Sequence, residues 1–442
     1  MASKSNPTMN TAAVLHSAGH LTIEQRPRTT PPPGYAEVQI MSTTLCGSDL
    51  HYYAHGRNGT FALRHPLVLG HESAGIVTAV TPFADGTPSP LRIGQRVAIE
   101  CGIPCCLASN NSSKSTNSHS SSSCKFCTSG RYNLCPSLRF CSSAKTYPHL
   151  DGTLQTYLQH PIQLLHPLPT GMSYELGALA EPLGVVIHAA RRAGLMPNPT
   201  TSGSSSFLGG ANGARVLVFG AGAVGLLACV LARALGAVQV VCVDVNEQRL
   251  QFAKRAGFVD QIFNTSSSSS SSSLPPSPAS SSSHSSSGSQ SLPSFADQMA
   301  AKMVQAKATA ERILHVAGMD VEDIGQGFDF VFECTGAEPC IQTGIYAARL
   351  GGKVLLVGMG TPNVSLPLSA AACREVDLIG VFRYATTYPS ALALLSSGVL
   401  EGVEKMITHR FPLERTKEAF EVMKNGVDDQ GGLVVKVCVS AE

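Results

Sequence analysis

The sequence predicts an α/β protein in two parts, a β-rich portion and a doubly wound parallel sheet. Three observations carry this. Between about residues 35 and 100 the β-rich runs AEVQIMSTTL, ESAGIVTAV and QRVAIE are separated by Gly/Pro turns. From about residue 214, nearly all-apolar strands alternate with helix-patterned segments, the pattern of a parallel sheet covered on both faces. A glycine-rich turn joins the first strand and helix of that second region.

Taken in order, RVLVFG contributes a strand at 215–219 and AVGLLACVLARALG a helix at 223–235. VQVVCVDV is a second buried strand, EQRLQFAKRAG a helix, and an Ala-rich helix lies near 296–317. FDFVFECTG is the next strand, AEPCIQTGIYAARLGG a helix, and KVLLVG one more strand. From about residue 382 the chain returns to mixed structure. These breaks predict domains at 11–182, 183–381 and 382–442, the last segment rejoining the first domain.

The 442 residues suffice for two or three domains, and 32 basic against 30 acidic residues leave a net charge of +2. With no long charged run, a nucleic-acid stripe and a polybasic membrane anchor are disfavoured. The N-terminal stretch has neither a signal-peptide apolar core nor an Arg-rich amphipathic pattern. The apolar run 216–232 holds three glycines within six residues, which fits strand, turn and helix better than a membrane span. Fourteen cysteines in a long chain, three of them as Cys124-x2-Cys127-x7-Cys135, favour reduced thiols and metal ligation. A soluble, cytoplasmic protein is expected.

Serine-rich low complexity interrupts the chain at 107–123 and 266–291, the latter with 18 serines in 26 positions, and more weakly at 200–213. Such segments cannot bury enough apolar surface to offset their ordering entropy, so surface excursions are expected, with a phosphorylated loop as the alternative.

Gly220, Gly222 and Gly225 form a GxGxxG turn between the 215–219 strand and the helix opening at Ala223 and Val224. The first glycine allows the turn, the second lets backbone approach a pyrophosphate, and the third lets helix and strand pack closely. Asp244 ends the next strand, 19 residues after Gly225, where a carboxylate accepts hydrogen bonds from a ribose and repels a 2′-phosphate. NAD is therefore favoured over NADP. Arg249 either covers the adenine or pairs with Asp244, and leaves some NADP use open.

Two groups of residues have the chemistry of metal ligands. Cys46, then His71 and Glu72 at 25 and 26 residues beyond, supply a thiolate, an imidazole and a carboxylate, and Glu181 is a fourth candidate, as ligand or holding bound water. Three protein ligands and an open position suit a catalytic zinc. Each residue also has a plainer reading: a small buried apolar group, a satisfied core histidine, a capping acid. The spacings alone do not choose. Cys124, Cys127 and Cys135, completed by Cys105 or Cys106, would make a four-thiolate structural site, although the gap from Cys105 to Cys124 is unusually long.

Together these residues resemble the zinc-dependent medium-chain dehydrogenases/reductases, in the sorbitol (polyol) dehydrogenase branch. The matching strings are CGSDLHYY, VLGHESAGIV, RVAIECGIPC, CKFCTSGRYNLC, GALAEPLGV, VFGAGAVG, FECTGAE, REVDLIGVFRY and ITHRFPLE, in family order from about residue 12 to 438. The resemblance implies a GroES-like catalytic domain, a Rossmann NAD-binding domain inserted in it, and an active site in the cleft between them. It assigns Cys46, His71 and Glu72 to a catalytic zinc, with Glu181 in or beside the coordination shell. It makes Ser48 and His51 a proton relay toward solvent, and Tyr52, Phe61, Arg383 and Tyr384 the polyol pocket. Cys105, Cys124, Cys127 and Cys135 align with a structural-zinc lobe, and many family members are tetramers. Three departures stand out: the 107–123 insertion breaks the first thiol spacing, AVG stands where PIG is common, and EPLG replaces EPLS.

The implied reaction is oxidation of a secondary hydroxyl of a polyol of the sorbitol or xylitol type to a ketose, with zinc as Lewis acid and NAD as hydride acceptor. The alternatives are L-arabinitol, threonine or another secondary alcohol as substrate, or a catalytically silent dinucleotide-binding protein.

Overall fold

The computed structural model describes residues 9–108, 123–197, 210–266, 294–323 and 325–440. Most of the three Ser-rich segments lies outside these residues. A seven-stranded, largely antiparallel sheet has as its central strand Tyr35–Thr44, paired with Glu72–Val80, Tyr157–Pro161 and the last strand, Lys436–Ser440. Arg96–Ile99 and Leu165–Pro167 extend it on one side and Ile407–Pro412 on the other. A strand from the chain's end therefore sits beside one from its beginning, and the α/β region lies between them in sequence.

That region is a six-stranded parallel sheet in the order Gln261–Asn264, Gln239–Asp244, Arg215–Phe219, Phe328–Glu333, Ala348–Leu356, Asp377–Gly380. Numbered by sequence, this is 3-2-1-4-5-6, the doubly wound order whose ligand crevice opens where the winding reverses, at the carboxyl ends of the first and fourth strands. The Arg215–Phe219 strand is apolar throughout because both its faces are covered. Val216 and Val218 pack with the helix Ala223–Ala234, while Leu217 and Phe219 pack with Phe295–Val316 and Glu338–Ala347. One expected element is shorter than its pattern suggested. The helix over AEPCIQTGIYAARLGG ends at Ala347, and Ala348 (ψ 140°) opens the next strand. Gly351, at φ +64°, and Gly352 follow in that strand and disfavour helix. Among the described residues no helix is long and apolar enough to cross a membrane.

Candidate active site

The GxGxxG turn sits at the reversal of winding. Gly220 has φ +95°, and a Cβ there would stand 2.9 Å from the Thr335 methyl on the adjoining fourth-strand loop. A Cβ on Gly225 would meet the Gly220 carbonyl oxygen at 1.7 Å, so helix and strand pack only with glycine. Gly222 differs: a Cβ there has nothing within 4 Å, so the turn presents bare backbone to open space at the N-cap of the Ala223–Ala234 helix. Asp244 accepts hydrogen bonds from the amides of Ala221 (2.6 Å) and Asn246 (2.8 Å), which ties the strand end to the glycine turn. Arg249 forms no ion pair with Asp244; its buried Nε lacks a protein partner and its guanidinium lies near Gly426.

Val224, the second residue of that helix, lines a cavity of about 180 Å³ shared with the antiparallel sheet. On its wall stand Cys46, His71 and Glu72, whose ligand atoms all lie within 4.8 Å of one another. Cys46 caps the helix Gly47–His55, His71 immediately precedes the Glu72–Val80 strand, and Glu72 opens it. His71 is oriented from behind: its Nδ1 lies 3.2 Å from Asp49 Oδ1, an oxygen that also receives the Ser142 hydroxyl (2.5 Å) and the Gly70 amide (3.2 Å). Burial opposes ionisation of Asp49, yet the His71 ring and the hydrogen bonds of Ser142 and Cys46 outweigh it and hold the carboxyl below its ordinary range. With Nδ1 donating to Asp49, the Nε2 lone pair faces the cavity, the arrangement that raises the basicity of a metal-binding histidine. A soft thiolate, an imidazole and a carboxylate at one wall are the donor set of a catalytic zinc, and the cavity gives it an open side. The residues fit the metal.

Glu181, in the first turn of the helix Ala180–Arg192, lines the same cavity but stands outside the close group of three. Burial, with the charge of Glu72 adding to it against the pull of His71 and Lys436, pushes its carboxyl up to about 7. Ser48 Oγ is on the wall, 3.5 Å from His71 Nε2. His51 is on the exposed face of its helix, off the cavity wall, and no hydrogen bond joins it to Ser48. Tyr52, Phe61 and Arg383 line the cavity, whereas Tyr384 does not. The Tyr384 ring is buried against Tyr388, with centroids 5.6 Å apart. Tyr384 interacts with Glu181, which does line the cavity, so the tyrosine stands behind that wall rather than on it.

Sequence reasoning did not single out Asn58, Phe140, Ser142, Ser143, Met359 and Phe382, all on the wall, nor Asp49 and Lys436 behind it. Asp49 lies three residues from Cys46 and was within reach of a local motif. A lone lysine within the apolar run LVVKVCV was the visible signal for Lys436.

The second group of thiols is also assembled. Cys105, Cys124, Cys127 and Cys135 have Sγ atoms within 4.8 Å of one another, with 3.6 Å between Cys105 and Cys127 and 3.5 Å between Cys124 and Cys127. A zinc tetrahedron with bonds of about 2.3 Å has edges of about 3.8 Å, so these thiols fit one. Cys106 is exposed and stands outside the four. Two residues of this lobe brace the turn that carries Arg383: Asn133 Nδ2 donates to the Phe382 carbonyl (2.8 Å), and the Tyr132 hydroxyl accepts from the Thr386 amide (2.7 Å).

A doubly wound dinucleotide sheet facing a Cys/His/Glu metal set across one cavity defines a zinc-binding alcohol dehydrogenase. Sequence profiles agree: the alcohol dehydrogenase GroES-like domain matches residues 32–170, and the zinc-binding dehydrogenase domain matches 223–274 and 295–397. Sorbitol dehydrogenase of Gallus gallus is 37% identical over 419 residues, 94% of each chain, and that of Homo sapiens 36% over 427, covering 97% of this chain and 96% of the other. The solved structure of L-idonate 5-dehydrogenase from Escherichia coli K-12 superposes with a TM-score of 0.71 at 26% identity, covering 98% of both chains. The chain belongs to the zinc-dependent medium-chain dehydrogenases/reductases, in the sorbitol dehydrogenase branch.

Proposed function

We propose that this chain oxidises a secondary hydroxyl of a polyol of the sorbitol or xylitol type to a ketose with NAD. The observation that carries the reading is the meeting of Cys46, His71 and Glu72 on the wall of a cavity that Val224 of the dinucleotide turn also lines. Bound at these positions, zinc supplies a Lewis acid for the hydroxyl oxygen and NAD the hydride acceptor. Cys46, His71 and Glu72 hold the metal, and Asp49 fixes the His71 ring. Phe61, Phe140 and Phe382 close the walls against water. The Glu181 carboxylate, on the same wall, is the group that takes the hydroxyl proton, and its burial favours the protonated form; Ser48 Oγ serves only to pass a proton on. Arg383 offers donors to neighbouring hydroxyls, Tyr52 adds to the pocket, and Asp244 and Arg249 bind the adenosine end of the dinucleotide.

The chain divides on this reading into a catalytic domain at 11–182 and 382–442 and a nucleotide domain at 183–381. The Asp377–Gly380 strand pairs on one side only among the described residues, an open edge that suits pairing with a second copy, one of the two kinds of contact that the proposed homo-tetramer needs. All fourteen cysteines are free, in keeping with a reducing, cytoplasmic compartment. Initial rates with NAD and NADP over sorbitol, xylitol, L-arabinitol, threonine and 2-propanol test the assignment. Fastest turnover of a polyol with NAD is expected. Fastest turnover of threonine or of 2-propanol would replace the polyol reading, and no turnover of any would leave the silent binding protein.

A further inference from the structure

Glu72 is gripped from behind. Its Oε2 accepts from the Thr44 hydroxyl and from the Lys436 ammonium, and the side chains of Lys436 and Glu72 are only 3% and 1% exposed. Two long-range strand pairings build this grip. Thr44 and Glu72 are register partners on adjacent antiparallel strands, and Lys436 opens the final strand, which lies against the other side of Tyr35–Thr44 through Cys438 and Thr44. Both contacts fall on the same carboxylate oxygen, leaving Oε1 as the atom without a hydrogen-bond partner. A lysine in the interior of a sheet is costly unless its charge is fully paired, so its presence here calls for a reason beyond packing.

On the reading of Cys46, His71 and Glu72 as metal ligands, we propose that Lys436 is a positioning residue: its ammonium pins Glu72 by Oε2 so that Oε1 alone is offered to the metal. Anchoring and plain electrostatics make opposite predictions for its removal. If Lys436 orients the ligand, losing it loosens the metal, as loss of an outer partner of a ligand does. If it is merely a nearby positive charge, losing it removes repulsion and tightens the metal.

The test uses the full-length protein loaded with Co2+ in place of zinc, read by its visible spectrum and by competition with a chelator. Cys46→Ser identifies the absorption that belongs to this site. Lys436→Met is expected to change that absorption and weaken Co2+ by about tenfold or more, while Lys436→Arg keeps both near wild type. In a Glu72→Gln background, Lys436→Met is expected to add nothing, because its effect runs through Glu72. That double variant buries no unpaired charge, so it and Lys436→Arg carry the test if the single Met variant does not fold. Unchanged or tighter Co2+ in Lys436→Met, or an equal further change in the Glu72→Gln background, overturns the inference and leaves the metal site standing. A wild-type protein with no absorption sensitive to Cys46→Ser overturns both.

Discussion

The Arg383 guanidinium lies 3.8 Å from the centre of the Phe140 ring, stacked on one wall of the catalytic cavity. Its Nη2 reaches Ser143 Oγ at 3.3 Å, while its Nη1 is buried without a protein partner. Burial, only partly offset by Tyr384 and Glu181, lowers the guanidinium to about 10, so it stays charged at neutral pH. A cation held flat on an aromatic face with a donor to spare is a ready contact for a vicinal hydroxyl. Arg383→Ala should raise KM for a polyol by about tenfold or more, the value of a charged hydrogen bond, and leave 2-propanol nearly unaffected. Parallel loss on both substrates would mean that the arginine shapes the site rather than reading the substrate.

The two later glycines of the dinucleotide turn should separate folding from binding. Gly222→Ala adds a methyl into open space at an ordinary φ of −80°, so denaturant stability should hold. Dinucleotide affinity should nevertheless fall by about tenfold or more, because that space is where the pyrophosphate comes closest. Gly225→Ala meets the Gly220 carbonyl and should cost about 3 kcal/mol of stability in denaturant titrations. Equal stability losses in both variants would refute this division of roles.

The two thiol-bearing sites should fail differently. Cys46→Ser should reduce zinc content, cut turnover by roughly a thousandfold and spare NADH binding measured by fluorescence. Cys124→Ser should instead lower stability, since structural metal binding is folding free energy, and raise KM for the polyol. The KM effect is expected because Tyr132 and Asn133 of that lobe hold the turn bearing Arg383. A Cys124→Ser protein with wild-type stability and KM would show that the four thiols carry no metal in solution.

Acid should expose a strained histidine. Burial first, then the charges of Arg192, Arg191 and Arg131, depress His188 to about 4. A histidine depressed on folding favours the native state above its unfolded pKa of about 6.5, and that contribution is lost as pH falls toward 4. Between pH 7.5 and 5 the loss is about 2 kcal/mol, which His188→Gln should abolish. Identical pH dependence of wild type and variant in urea titrations would exclude it.

The parallel sheet was legible because its information is local. Each strand is a short apolar run, and the Gly220–Gly225 turn carries its own steric logic. The metal set was legible as residue types but not as a site, since Cys46 and His71 meet only through pairing of distant strands. What escaped lies behind or between: Lys436 arrives from the far end of the chain by sheet register, and Phe140, Ser142 and Ser143 come from a stretch without periodicity. Tyr384 packs on Tyr388 behind the cavity wall, a placement set by tertiary contacts that nothing local in the sequence announces.

Cys105 and Cys124 belong to one thiol cluster although 18 residues separate them. Their sulfurs lie within 4.8 Å of each other, so the two ends of the intervening sequence are tied together, and closure entropy grows only slowly with length. The cluster thus works as a clasp that uncouples the length of what it encloses from the geometry of the catalytic wall. That junction is a natural graft point, where evolution or an engineer can splice in foreign sequence while the dehydrogenase beneath stays in register.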